Sequence, residues 1–152
     1  MAKTAKRPIK TAANGALFYG SFKYPISRAV RAGDFVLTSA FGCYIPEHDD
    51  QIFTAEGIPL STGKHCKSYS FADEVHGSFK MVSDALELVD CELSDVVDCQ
   101  AWLKDARDFA EFNRIYIKYF TDTRPVRSVF HNHFLMEYRI EMKMMAYKPL
   151  GR

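Results

Sequence analysis

No CxxC pair, no run of about twenty apolar residues, no surplus of either charge and no repeat at solenoid spacing occurs in this chain of 152 residues. Each absence removes a class of function. Without paired cysteines, a structural zinc site or a thioredoxin-type redox motif is not expected. The four cysteines, Cys43, Cys66, Cys91 and Cys99, are scattered, so no disulfide framework is evident and a reducing compartment, the cytoplasm, is the simplest expectation. Without a long apolar run, no membrane helix is expected. A formal net charge of +1 implies no general attraction to nucleic acid or to a membrane surface. The opening "MAKTAKRPIK" is basic, but no apolar stretch of signal-peptide length follows it. Residues 1–15 read as a loose tail rather than a nucleic-acid arm, and residues 16–152 read as a single domain.

What is present is pattern. "ISRAV" (26–30) and "FVLTSAF" (35–41) are short β-type runs joined by "RAGD", a hairpin signal. Residues 42–69 hold Gly, Pro and Asp with no sustained period, and read as a long loop. Phe71, Val75, Phe79, Val82, Leu86 and Val89 recur at steps of three and four, the apolar stripe of a helix. Ser70 with Asp73 forms a capping pair at its start, and Gly77 inside it weakens it. "VVDCQAWL" (96–103) reads as a strand. A second helix follows, with Asp108 as its cap and Phe109, Phe112, Tyr116 and Tyr119 as its stripe. The last strands are about 126–134 and 137–147. The expected order is β-β-α-β-α-β-β, an α+β fold with both helices on one face of a mixed sheet. In the final strand Tyr138, Ile140, Met142, Met144 and Ala146 point to the core. Glu137, Arg139, Glu141, Lys143 and Met145 point away, and that charged face suggests association with other copies.

One strand carries an unexplained cation. In "PVRSVFHNHF" (125–134) a period of two puts Arg127, Val129, His131 and His133 on one side. A planar guanidinium grips a carboxylate through two parallel hydrogen bonds. If the last two strands form a tight hairpin around "FLME", Glu141 becomes the cross-strand neighbour of Arg127. A glutamate there is able to hold a water and take its proton. The plain alternative is a cross-strand salt bridge, which stabilises little.

Three stretches carry a resemblance. They are "PISRAVRAGDFVLTSAFG" (25–42), "LSDVVDCQAWLKDARDFAEFNRIYIKYF" (93–120), and "PVRSV" through "YRIEMKMMA" (125–146). In this order, over about two-thirds of the chain, they resemble the Rid family, also called YjgF or reactive-intermediate deaminases. The resemblance implies a chorismate-mutase-like sheet assembled as a homotrimer, with ligand clefts between subunits. It implies hydrolysis of enamines and imines derived from amino acids, with release of ammonia and without metal or organic cofactor. By that resemblance Arg127 binds the substrate carboxylate and Glu141 positions water. Ser39, Ala40, Ile26 and Val129 then line the ligand cleft, and Asn113 is structural. Two positions depart from the family pattern. Ile26 stands where active members carry a tyrosine, with Tyr24 two residues away, and Ala40 stands where a glycine follows the serine. The 42–69 loop is also longer than the family's and suits a cap over a longer substrate. A branch acting on 2-aminomuconate would need a second donor, for which Arg28, Arg139, Lys143, His131 and His133 are candidates. His131 and His133 share a strand face, which also suits a metal, but with no third ligand to name they read as cleft or interface histidines.

Two further signals carry little. "GIPLSTGK" resembles a phosphate loop but has the wrong glycine spacing, and His65 stands where Ser or Thr belongs. Cys43 has no activating partner in the sequence. The expectation is therefore a cofactor-free enamine or imine deaminase. The alternatives are a non-catalytic trimer of the same fold that binds a small carboxylate, and an RNA-binding protein, against which the charge balance argues.

Overall fold

The computed structural model describes residues 9–13, 15–20, 26–43, 69–135 and 138–151. Most of the expected 42–69 loop, together with Tyr24, Cys66 and Glu137, lies outside the described residues. Seven strands form one sheet: β1 (Ile9–Ala13), β2 (Ala16–Gly20), β3 (Ser27–Ala32), β4 (Phe35–Thr38), β5 (Val96–Leu103), β6 (Val126–His131) and β7 (Ile140–Tyr147). Among the described residues two α-helices join them, α1 (Phe71–Glu87) and α2 (Phe109–Tyr116). The α+β class, the mixed sheet and the two helices agree with the sequence reading, and the order gains two strands at its start. β1 begins inside the stretch expected as a loose tail and pairs with β2 over five register positions. Gly15, at φ 78°, makes that turn possible, since side-chain-bearing residues rarely adopt the left-handed region.

The sheet order is β1-β2-β3-β4-β7-β5-β6. All neighbours are antiparallel except β5 and β6, which run parallel with α2 as their crossover. β7 therefore sits between β4 and β5, and β6 is an edge strand. The expected hairpin between the last two strands is not formed. β6 instead returns through the α2 crossover to extend β5 in parallel, and β7 pairs with β4 on one side and β5 on the other. The apolar alternation of β7 is as expected, with Tyr138, Ile140, Met142, Met144 and Ala146 all buried.

Both helices cover one face. Val75, Phe79, Val82 and Leu86 of α1 join Phe112, Ile115 and Tyr116 of α2 and the inward residues of β5 and β7 in one core. Ser70 caps α1 reciprocally with Asp73: Asp73 N donates to Ser70 Oγ and Ser70 N donates to Asp73 Oδ2, both at 3.1 Å. The cap expected from Asp108 is not made. Asp105 instead accepts from Arg107 N at 2.9 Å in the 3-10 turn that leads into α2. Gly77 has a packing reason, since a Cβ there would collide with Cys43 Sγ.

Between β4 and β7 the ladder carries one extra residue. Leu37 pairs with Met145 and Phe41 with Met142, four steps against three. Thr38 fills the gap: its Oγ1 accepts from Met144 N at 3.0 Å and donates to Met144 O at 3.3 Å. The bulge holds Ser39 and Ala40 beside the upper end of β7.

Candidate functional site

Strand register decides where each candidate side chain points. Arg127 lies beside Cys99, which lies beside Met144, and both neighbours face the helices. Arg127 is therefore on the helix-covered face, at the sheet edge. Its guanidinium carbon stands 4.5 Å from the ring centre of Tyr116, 5.5 Å from that of Phe112 and 6.0 Å from that of Phe109. These are cation–π distances, worth about 1–2 kcal/mol where water is partly excluded. Leu103, Ala106, Phe109, Val129, Phe130 and His131 line with it a cleft of about 470 Å³. The thiol beneath, Cys99, is pushed up to about 12 by burial, and burial also raises the Tyr116 phenol. The floor is therefore uncharged, and nothing in it neutralises the arginine.

Glu141 lies beside Trp102, and Trp102 beside Phe130. That register is three residues from the Arg127 row, an odd number, so Glu141 points to the opposite, uncovered face. The expectation that Arg127 and Glu141 are cross-strand neighbours is thus corrected. They sit on opposite sides of the sheet with β5 between their strands, and within one chain they cannot share a pocket. A salt bridge between them is excluded by the same geometry. Burial pushes the Glu141 carboxyl above its ordinary value, and among the described residues it has no hydrogen-bond or ion-pair partner.

The remaining candidates divide along the same line. Val129 follows Arg127 into the cleft. Ser39 and Ala40 follow β4 in the bulge opposite β7, and Ile26 precedes β3 at the same end of the β3–β4 pair. Ser39 Oγ donates to Ser27 O at 2.7 Å, and Ser39 N donates to Arg28 O at 3.0 Å. Ile26 is 56% exposed, an apolar side chain open to solvent beside this loop. One chain therefore separates the two groups, the guanidinium on the edge strand and the carboxyl on the opposite face beside the bulge.

Residues 23–148 match the family model described as Endoribonuclease L-PSP. The chain belongs to this family, the Rid or YjgF family. A RutC family protein of Pyrococcus abyssi is 30% identical over 127 residues, 82% of this chain and 87% of that protein. Reactive Intermediate Deaminase A, chloroplastic, of Arabidopsis thaliana is 30% identical over 123 residues, 80% of this chain and 58% of that protein. Among solved structures, the YjgF gene product of E. coli aligns with TM-score 0.64 at 23% identity, over 81% of this chain and 87% of that one. A YjgF family protein of Neisseria meningitidis aligns with TM-score 0.69 at 18% identity, over 90% and 97%. The Rid fold expected from the three quoted stretches is thus the fold observed.

Within this Rid chain the histidines separate. His131 Nε2 lies 3.1 Å from Lys104 O, which accepts only, so that nitrogen carries the proton. His133 lies beyond the end of β6 and lines a second, charged cleft with Lys104, Asp105, Asp108 and Arg139. Among the described residues no group of three His, Cys, Asp or Glu side chains is arranged to hold a metal ion. Arg139 and Arg28 face other tasks. Arg139 pairs with buried Glu74 at 2.6 Å, and Arg28 stands 5.9 Å over Phe41. The sequence reading missed Leu103, Ala106 and Phe109 as cleft residues and took Phe109, Phe112 and Tyr116 as core stripe alone. A usable signal was there, since a crossover helix must pack against the two parallel strands it joins. Among the described residues no helix is long and apolar enough to cross a membrane.

Proposed function

We propose that this Rid chain is a hydrolytic deaminase of small 2-imino acids and their enamine tautomers, working in a site built from two copies. The observation that carries this is the separation of the two groups. Among the described residues, a guanidinium with no acceptor faces one side of the sheet, and a desolvated carboxyl with no partner faces the other. Each has the chemistry the other needs, and a cleft between subunits is the arrangement that joins them. The membership in a family with a relative named as a reactive intermediate deaminase supports the reaction class.

In such a cleft Arg127 of one copy holds the substrate carboxylate through paired N–H donors. Glu141 of the next copy accepts a proton from a water as its oxygen bonds to the imine carbon. With a protonated imine as the starting species, Glu141 returns the water's proton to the carbinolamine nitrogen. It then takes the hydroxyl proton as the C=O bond forms and the C–N bond breaks, and passes it to the departing ammonia, leaving a 2-oxo acid. Burial raises the Glu141 carboxyl toward the working range of a general base. The uncatalysed reaction is already feasible, so holding both reactants in place supplies much of the rate. The homotrimer implied by the Rid resemblance fits this need for neighbouring copies.

The test is complementation. Arg127→Ala and Glu141→Gln are each expected to abolish decay of an imine generated in place. Co-expressed and co-assembled, they restore activity, because roughly a quarter of randomly formed sites receive both intact residues. No restoration in verified mixed oligomers would sink the two-copy site. The exposed Ile26, in place of a tyrosine, favours the alternative of a non-catalytic trimer that binds small carboxylates. In that case 2-oxo acids bind and no tested imine decays faster. The endoribonuclease named in the family description makes RNA cleavage a further arm of the assay, and the near-neutral charge leads us to expect none.

A further inference from the structure

We propose that Phe109 and Tyr116 are positioning residues for Arg127, holding its guanidinium by their ring faces so that its N–H groups stay open to a ligand. This rests on reading Arg127 as the carboxylate anchor. Arg31 and Arg139 are fixed by acceptors. Arg31 is buried and donates to Lys148 O at 3.0 Å, Val89 O at 2.9 Å and Cys91 Sγ at 3.3 Å. Arg139 donates to Glu74 Oε1 and to Tyr69 O, both at 2.6 Å. Arg127 has no such acceptor among the described residues, and its fixed contacts are three aromatic rings.

The difference has a chemical meaning. A carboxylate partner would immobilise the guanidinium but would also occupy its donors and cancel its charge. A ring face attracts the cation through its quadrupole and takes no N–H. The three rings divide the task. Phe112 is completely buried and belongs to the core. Tyr116 is nearest and almost buried, so its ring is fixed by packing against Phe79, Phe112 and Phe120. Phe109 is 44% exposed at the first turn of α2 and lines the cleft. A core role does not account for a phenylalanine that is open to water there, whereas contact with Arg127 does.

The experiment measures KM and kcat for one 2-imino acid generated in place, and Kd for the matching 2-oxo acid. Thermal stability and oligomeric state are measured on the same samples. Phe109→Leu is expected to raise KM and Kd about tenfold with kcat within about twofold, and Phe109→Trp to restore them. Tyr116→Leu removes the ring face and is expected to raise both constants as Phe109→Leu does, and Tyr116→Phe, which keeps the face, to restore them. The inference is overturned if Phe109→Leu leaves both constants unchanged, if leucine and tryptophan behave alike, or if Phe109→Leu dissociates the oligomer. Arg127→Ala serves as the reference. If it does not weaken 2-oxo acid binding, the anchor reading itself is wrong. If it does while Phe109→Leu does not, only the positioning role fails.

Discussion

Arg139 and Arg127 occupy the same sheet and put one side chain to opposite uses. Arg139, at the start of β7, is tied to acceptors inside the chain: Glu74 takes its Nε–H and its backbone N–H, and Tyr69 O takes an Nη–H. It ties the first turn of α1 to the sheet. Arg127, at the edge, has no acceptor among the described residues and lies on a bed of rings. Where an arginine serves the fold, its donors are consumed inside the chain; where it serves a ligand, something without acceptors must hold it.

That contrast can be broken by substitution. Arg139→Met should cost about 3–5 kcal/mol in urea unfolding, because it leaves the fully buried Glu74 carboxylate without its counter-charge. A loss below about 1 kcal/mol would show that Arg139 is not structural in the sense argued. Arg127→Lys should reverse the pattern, with stability almost unchanged and 2-oxo acid affinity down by about 1.5–3 kcal/mol, since a point charge cannot make the paired contact. The smallest effect concerns Glu141. Its carboxyl is raised by burial, so the folded state holds its proton more tightly than the unfolded chain. Its contribution to stability is therefore lost as pH rises from the ordinary carboxylate range through its folded value. Glu141→Gln should be slightly more stable than the parent at about pH 8, with the gap closing toward about pH 4. An equal gap at both ends would remove burial as the cause.

The sequence was most readable where one side chain pattern answers to one environment. The β7 alternation and the stripe Phe71, Val75, Phe79, Val82 and Leu86 with its Ser70 cap were read correctly, because each depends on local spacing and one core. Partner choice is not local. Nothing in "PVRSV" states whether β6 will pair with β5 or β7, and Arg127 and Glu141 were placed together by proximity in the chain. Register then set them on opposite faces. The β1–β2 hairpin was missed for a different reason. "IKTAANGALFYG" has an Asn-Gly turn signal, but its first half is small and polar and shows weak alternation.

The place of β7 has a consequence for how the molecule comes into being. It pairs with β4 on one side and β5 on the other, yet it follows both in the chain. A ribosome-borne chain that has not yet delivered Tyr147 has two strand groups with a gap where their common neighbour belongs. Until that moment Val36 and Ala101 lack their central layer, and the open ladders of β4 and β5 stand exposed to any other nascent strand. Premature termination before residue 140 would therefore leave two unjoined fragments of sheet rather than a smaller working domain.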